Sequence, residues 1–375
     1  MMDHFSSPKH LPEFYPLKLA KKKWITPSVV AAQFDVPEDL SSQFSFLAGQ
    51  YITLKIEKNG EYFFRDFSIT SAPYENSLAI AVKKTEKNSP SDFFCDNYNV
   101  GDEIEVSVPQ GRFTLKSKPH EFRTILGFAA GIGISPIFSH FKNILKTEPR
   151  TRLFLFYSNK NLESIAFRSE LNALSEASGG RLQVFNFLTQ KPSPNSFFSG
   201  RLDGQKLELI INQLLHLDET DEESTIWDSV DQVLICGPGE MVKSLANACH
   251  SNGIPKKNIH FELFGEFAEN IYPLEKSLPL IQDIEVNFRL NGKWHRAVLP
   301  DNRTNIFSQL AAMGYNVPYS CRAGICGSCI CLLNRGSVEL LENEYLTESE
   351  EKAGKILACM ALPLSSDLEL DFDLV

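Results

Sequence analysis

At 375 residues the chain is too long for one ordinary core, which sets an expectation of two or three domains. Hydrophobic residues make up 43% and charged residues 22%, the balance of a soluble globular protein, and a net charge of -10, with no Lys/Arg cluster beyond Lys21 to Lys23, argues against a surface built for nucleic-acid phosphates. The opening "MMDHFSSPKHLPEF" lacks the basic-then-apolar pattern of a secretory signal, and no apolar run reaches the roughly 20 residues of a bilayer span, so the expectation is a cytoplasmic protein with no membrane partner.

In chain order, the triplet Lys21 to Lys23 reads as a solvated strand end. Residues 11–118 read as short strands divided by turn residues, among them "QYITLKIE", "RDFSIT", "LAIAVKK" and "DEIEVSVPQG", the pattern of an antiparallel β-barrel. Over residues 119–268 the texture becomes alternating strand and helix: "TILGFAAG", then "SPIFSHFKNIL", "RLFLFYS", "AFRSELNALSEA", "LQVFNFL", a further helix and "QVLICG". Such alternation predicts an α/β domain with a parallel sheet. Residues 269–281 lack periodicity and read as a linker. Residues 282–375 open on a hairpin signalled by Asn291-Gly292, continue through a helix, "NIFSQLAAMG", into a cysteine-rich loop, and end in strands.

Five of the eight cysteines fall in the last fifth of the chain, and in a reducing compartment that clustering predicts a metal site rather than disulfides. Cys321, Cys326 and Cys329 have the spacing C-x4-C-x2-C, and Cys359 follows well downstream, the pattern of a plant-type 2Fe-2S centre. Ala323, Gly324, Gly327 and Ser328 are small enough for backbone N–H groups to approach bridging sulfides. Structural zinc is the competing reading, but zinc ribbons use paired C-x2-C knuckles and Cys359 has no such partner. Cys331 is left over as a buried thiol on the strand leaving the loop, and Cys95, Cys236 and Cys249 read as isolated buried thiols.

Two glycine-rich turns accompany the parallel sheet. "GFAAGIGISP" sets Gly131 and Gly133 between a buried strand and a helix, where a pyrophosphate can approach the backbone, and "CGPG" at Cys236 to Gly239 repeats the strand-to-helix arrangement. Either turn alone is also the mark of a plain tight turn. Lys160 in "YSNK" stands where a carboxylate would hold a ribose 2′-hydroxyl, which favours NADPH over NADH. In "RDFSIT", Arg65 and Phe67 share a strand face, suited to a phosphate and a planar ring, although a charged strand edge accounts for the same residues. "GRFTL" at Gly111 to Leu115 carries no distinct signal.

Together these residues resemble the ferredoxin-NADP reductase superfamily, in its arrangement with a carboxyl-terminal plant-type ferredoxin domain. The resemblance spans nearly the whole chain. It implies a β-barrel flavin domain, an α/β nucleotide domain and a β-grasp ferredoxin domain. The family's flavin motif falls on Arg65, Phe67 and Ser68; Ala81, Val82 and Lys83 match a segment along the flavin, and Ser91 a pyrophosphate-binding serine. The nicotinamide motif falls on Gly131, Gly133 and Ser135, with Cys236, Gly237 and Pro238 at the second turn. Glu262 and Phe264 match the segment that ends beside the flavin. Two departures are visible: Phe67 replaces the commoner tyrosine, and no glycine precedes Ser91. The resemblance implies FAD, a 2Fe-2S cluster and NADPH or NADH as cofactors. Its implied activity is an electron-transfer reductase, without acid–base catalysis by side chains, that feeds an oxygenase or hydroxylase component. A desaturase as acceptor, or a redox sensor without turnover, are the alternative readings.

Overall fold

The structure, a computed structural model, describes residues 13–190, 196–218, 221–263, 267, 271–272, 278–319, 324, 327–343 and 345–374. The chain divides into two compact units, Pro12–Phe264 and one that holds Gly265–Val375.

The first unit opens with six antiparallel strands: β1 (Phe14–Thr26), β2 (Val29–Asp35), β3 (Tyr51–Lys58), β4 (Glu61–Ser68), β5 (Leu78–Lys83) and β6 (Glu103–Ser107), with helix α1 (Pro90–Asn97) between the last two. Their order is β4-β3-β6-β1-β2-β5. An Ile69–Ile80 bridge then joins the two edges and closes a barrel. Leu17, Leu19, Val30, Ile52, Leu54, Ile56, Ile80 and Val82 fill its interior. The β3–β4 hairpin turns on Asn59 and Gly60, both at positive φ (56° and 81°), the backbone that a two-residue turn of the favoured twist requires.

Lys21 to Lys23 lie within β1, not at a strand end as the charge run implies. The physical reason is Lys22, whose ammonium donates to the Cys95 and Tyr98 carbonyls at 2.7 and 2.5 Å. It thereby caps the carboxyl end of α1, where a cation is favoured.

The barrel is followed by β7 (Arg123–Ala130), α2 (Ile134–Thr147), β8 (Thr151–Asn159), α3 (Arg168–Ala177), β9 (Leu182–Leu188) and α4 (Gly204–Leu214). A short hairpin, β10 (His216–Asp218) and β11 (Asp221–Thr225), precedes β12 (Val230–Gly237), α5 (Gly239–Ser251) and β13 (Ile259–Leu263). Five of these strands form a parallel sheet of order β13-β12-β7-β8-β9. β7 is buried along all but its last residue, as a central parallel strand covered on both faces must be. Helix α2 also docks on the barrel: Ser139 donates to the Ser71 carbonyl at 2.6 Å, Lys142 pairs with Glu75 at 2.5 Å, and His140 Nε2 meets the Phe113 carbonyl at 2.7 Å. The unremarkable "GRFTL" segment thus supplies a docking carbonyl.

In the second unit, β14 (Gln282–Leu290) and β15 (Lys293–Asp301) form a hairpin, followed by α6 (Ile306–Ala312), β16 (Ile330–Arg335), β17 (Val338–Leu340), α7 (Glu348–Lys352), β18 (Lys355–Leu357), β19 (Ala361–Pro363) and β20 (Asp367–Asp371). The hairpin again turns on an Asn-Gly pair, Asn291 and Gly292, with φ of 55° and 75°. β20 inserts parallel to β14, giving the order β15-β14-β20-β16-β18. Val286, Phe288, Leu299, Leu368 and Leu370 pack with Ile306, Phe307 and Leu310 of α6 in one core, the β-grasp arrangement.

Candidate functional site

In the parallel sheet the chain leaves β7 toward β8 on one side and later returns to β12 on the other. Ligands of such sheets bind outside the carboxyl ends of the strands at this switch point. The two glycine-rich turns meet there. A Cβ on Gly133 would collide with the Cys236 carbonyl, and one on Gly237 would stand 2.6 Å from Met241 Cε. Gly131 holds a φ of 54°, so the turn needs glycine for conformation at Gly131 and for space at Gly133. Pro238 is the residue before α5 and so leads the second turn into its helix.

Around these turns buried polar atoms lack partners among the described residues. Ser135 Oγ makes no hydrogen bond there, nor does the Oδ1 of Asn159, the last residue of β8, whose amide nitrogen faces the Tyr157 hydroxyl. Buried polar atoms are normally satisfied, so orphans at this edge fit a polar ligand such as a dinucleotide. Two cations stand nearby. Lys83, at the end of β5, has its ammonium 3.4 Å from where a Gly131 Cβ would be. Burial, and secondarily the charge of Lys160, lowers its pKa. Lys160 itself is exposed beyond β8. An electropositive pair beside a glycine turn suits phosphate.

On the barrel side, Arg65 and Phe67 lie on one face of β4 opposite Leu54 and Ile52, both half-buried. The Arg65 guanidinium donates to the Phe64 carbonyl at 2.8 Å. Ala81 and Val82 are buried in β5, paired with Ala31 and Val30. Ser91 falls in the first turn of α1, whose cap is Ser89, accepting the Asp92 N–H at 3.1 Å. A half-exposed guanidinium and ring, with a helix N-terminus in the same barrel, form a donor set that fits a flavin with its pyrophosphate.

The two sides converge at the end of β4. Ser68 Oγ donates to Glu262 Oε2 at 3.3 Å, and Cys236 Sγ lies 4.0 Å from the same oxygen. Cys236 and Glu262 are register partners on β12 and β13, which places both at the sheet's carboxyl edge. Burial, and then the Glu262 charge, hold the Cys236 thiol well above its ordinary pKa, so it stays neutral. It is therefore more than an isolated core thiol. Phe264 lies outside the described residues.

The second unit carries the cysteine site. Cys329 and Cys359 are buried with their sulfurs 3.0 Å apart, one just before β16 and the other just after β18. Gly324 and Gly327 have φ of 74° and 72°. A Cβ on Gly327 would strike the Tyr345 ring, so no larger residue fits. Converging buried thiols beside a glycine loop fit an iron-sulfur cluster. Cys321 and Cys326 lie outside the described residues. Cys331 is fully buried and pairs with Ile356 across the sheet.

Sequence reasoning missed Asn159 and the placement of the Lys83 ammonium. Asn159 sits next to Lys160 and its environment is invisible in the linear pattern. The sequence marks Lys83 through its strand segment, whereas its ammonium reaches the Gly131 turn of the parallel-sheet domain.

Three domain families match the chain: the oxidoreductase FAD-binding domain over residues 16–115, the oxidoreductase NAD-binding domain over 128–247 and the 2Fe-2S iron-sulfur cluster binding domain over 288–364. One of the subunits of 1,2-phenylacetyl-CoA epoxidase from Escherichia coli K12 is 32% identical over 96% of this chain and 98% of its own length. The ferredoxin reductase component of 3-ketosteroid-9-alpha-monooxygenase from Rhodococcus rhodochrous is 31% identical over 90% and 91%. Among solved structures, phthalate dioxygenase reductase matches with a TM-score of 0.52 at 24% identity, covering 96% of this chain and 98% of that one. A likeness at that identity speaks to fold alone. No helix among the described residues is long and apolar enough to cross a membrane.

Proposed function

We infer the function of this chain from the family to which it belongs, the oxygenase reductases that join FAD-binding, NAD-binding and 2Fe-2S domains: it is an NAD(P)H-dependent oxidoreductase that passes electrons through flavin and cluster to an oxygenase component. The observation that carries this reading in the chain's own residues is the convergence of Ser68, Cys236 and Glu262 where the barrel meets the switch point of the parallel sheet.

When bound, the flavin accepts a hydride's two electrons together and releases them singly, which lets a nicotinamide serve a one-electron cluster. The chain's work is positioning. Gly131, Gly133, Ser135 and Gly237 leave room and donors for the nucleotide's phosphates at the start of α2, with Lys83 and Lys160 supplying charge. Arg65 holds the flavin's phosphate, Phe67 lies against its ring, and Ser91 meets its pyrophosphate from the first turn of α1. Ser68, Cys236 and Glu262 hold the nicotinamide against the flavin and exclude water between them. Cys321, Cys326, Cys329 and Cys359 ligate the cluster.

The acceptor we propose is the oxygenase component of a phenylacetyl-CoA epoxidase, in phenylacetate catabolism, with the protein acting in the cytoplasm. The support is identity to the Escherichia coli epoxidase protein along essentially the whole of both chains. The test is NADPH oxidation by the purified protein mixed with that oxygenase. Oxidation that accelerates only when phenylacetyl-CoA is added supports the assignment. Acceleration with a ketosteroid or glycine betaine oxygenase and its substrate, and none with phenylacetyl-CoA, overturns it.

A further inference from the structure

Tyr157 lies on β8 between Phe156 and Ser158, fully buried, and its hydroxyl donates to the Gly131 carbonyl at 2.9 Å. Burying a phenol is costly unless its hydroxyl is used, and the phenylalanines at 154 and 156 of the same strand fill their space without one. The carbonyl it holds belongs to the first residue of the phosphate turn, whose φ of 54° is left-handed.

A second loop meets the same oxygen. The Asn159 side chain and, less strongly, the Ala166 backbone amide face it, both opposing the upward pull of burial on the phenol's pKa. Ala166 precedes Phe167, which holds a φ of 58°. That conformation is strained for a bulky side chain and persists only where surroundings enforce it. Here the enforcing contact is a stack on Phe138 of α2, with ring centroids 4.7 Å apart. One hydroxyl therefore stands between the left-handed turn that leads into α2 and the left-handed residue that opens α3. The chain between Tyr157 and Phe167 carries Asn159 and Lys160.

We propose that Tyr157 is a positioning residue for the nucleotide: its hydroxyl braces the Gly131 turn against the loop that carries Lys160, presenting the turn's N–H groups to phosphate while touching neither nucleotide nor flavin. The proposal rests on the reading that NAD(P)H binds at this turn. A purely structural tyrosine would affect folding but not the Michaelis constant of molecules that had folded.

The experiment uses the full-length protein with flavin and cluster in place, and ferricyanide as acceptor so that no partner is needed. In Tyr157→Phe, KM for NADPH and for NADH should both rise about 5- to 10-fold, the effect of losing one ordinary hydrogen bond, with kcat within twofold of wild type. Flavin content and cluster absorption should be unchanged. An unchanged KM in flavin-replete Tyr157→Phe overturns the proposal. Should that variant fail to retain flavin, Gly131→Ala, which disfavours the left-handed turn at a half-buried position, must reproduce the rise in KM, and an unchanged KM there overturns it equally. Gly133→Ala separates the brace from the underlying reading. Loss of response to NADPH in Gly133→Ala beside a wild-type KM in Tyr157→Phe rejects only the brace, whereas a wild-type KM in Gly133→Ala rejects the nucleotide site itself.

Discussion

The Glu262 carboxylate accepts the Ser68 hydroxyl at 3.3 Å across 194 residues of sequence, joining the end of a barrel strand to the last strand of the parallel sheet. The contact holds together two elements that must stay in register if nicotinamide and flavin are to face one another. Misplacement of reacting atoms by about 1 Å costs on the order of 100-fold in rate. Ser68→Ala and Glu262→Gln should each slow flavin reduction at saturating NADPH by about 10- to 100-fold. The dissociation constant for NADPH should change less than about threefold. Stopped-flow absorbance of the flavin band measures both, and a loss confined to affinity would reassign the pair to nucleotide binding.

His140 predicts a pH dependence of stability. It is fully buried between α2 and the barrel, and burial lowers its pKa from 6.5 to about 4, with the Phe113 carbonyl opposing and His260 adding a smaller downward push. A depressed folded-state pKa means that the unfolded chain binds the proton first. This contribution is therefore intact above pH 6.5 and is lost as pH falls toward 4, by up to about 3 kcal/mol. Urea denaturation of wild type and His140→Gln at pH 7 and pH 5 should show a steeper loss in wild type. Equal losses would place the acid sensitivity elsewhere.

What could be read from the linear chain was what depends on short spacing. The two glycine turns and the Asn291-Gly292 hairpin are local, and each forms where its residues lie. What could not be read depends on distant partners. Lys22 looks like part of a solvated charge run until α1 ends against it. Lys83 looks like a strand residue until Gly131 folds beside its ammonium. The Tyr157 hydroxyl has no signature at all, because its partners arrive from 26 residues upstream and from the loop after its own strand.

The cysteine assignment separates by position. All three described cysteines of the second unit lie in its core, but the Cys329 and Cys359 sulfurs face each other at 3.0 Å, whereas Cys331 pairs with Ile356 across the sheet. Cys359→Ser should abolish the visible absorption of the cluster. Cys331→Ala should keep it, with a loss of stability of about 1 kcal/mol for the vacated space. Absorption retained in the first and lost in the second would exchange their roles.

Two lysines near the phosphate turn should act differently. Lys83 is partly buried beside the Gly131 turn, where the proposed site would hold phosphates common to both nucleotides, whereas Lys160 is exposed beyond the end of β8. Lys160→Ala should lower the ratio of kcat/KM for NADPH over NADH by about 10-fold, the worth of one modest charged contact. Lys83→Ala should raise KM for both nucleotides and leave the ratio unchanged. A ratio that moves only in Lys83→Ala would shift the 2′-phosphate contact to that residue.

The second unit is strongly acidic. From Gln282 to Val375 the chain has 13 acidic and 8 basic residues, a net -5, half the charge of the whole protein. Not all of this charge is free. Glu350 closes the cap on Thr347 and pairs with Lys355, and Glu351 accepts from Asn343. Glu348 is almost fully exposed at the start of α7, with Lys352 only 3.7 Å from its carboxylate. A protein that delivers single electrons must bind and release its acceptor repeatedly, and complementary charge speeds encounter without tightening the complex. The second-order rate of electron transfer to the oxygenase should therefore fall as salt rises, since screening acts over about 8 Å at physiological ionic strength. Flavin reduction by saturating NADPH is internal to the complex and should change far less. Glu348→Gln should reproduce part of the salt effect at low ionic strength. Stopped-flow traces of both steps across a salt series decide it: an intermolecular rate that stays flat from low to high salt would leave the acidic surface as solvation alone.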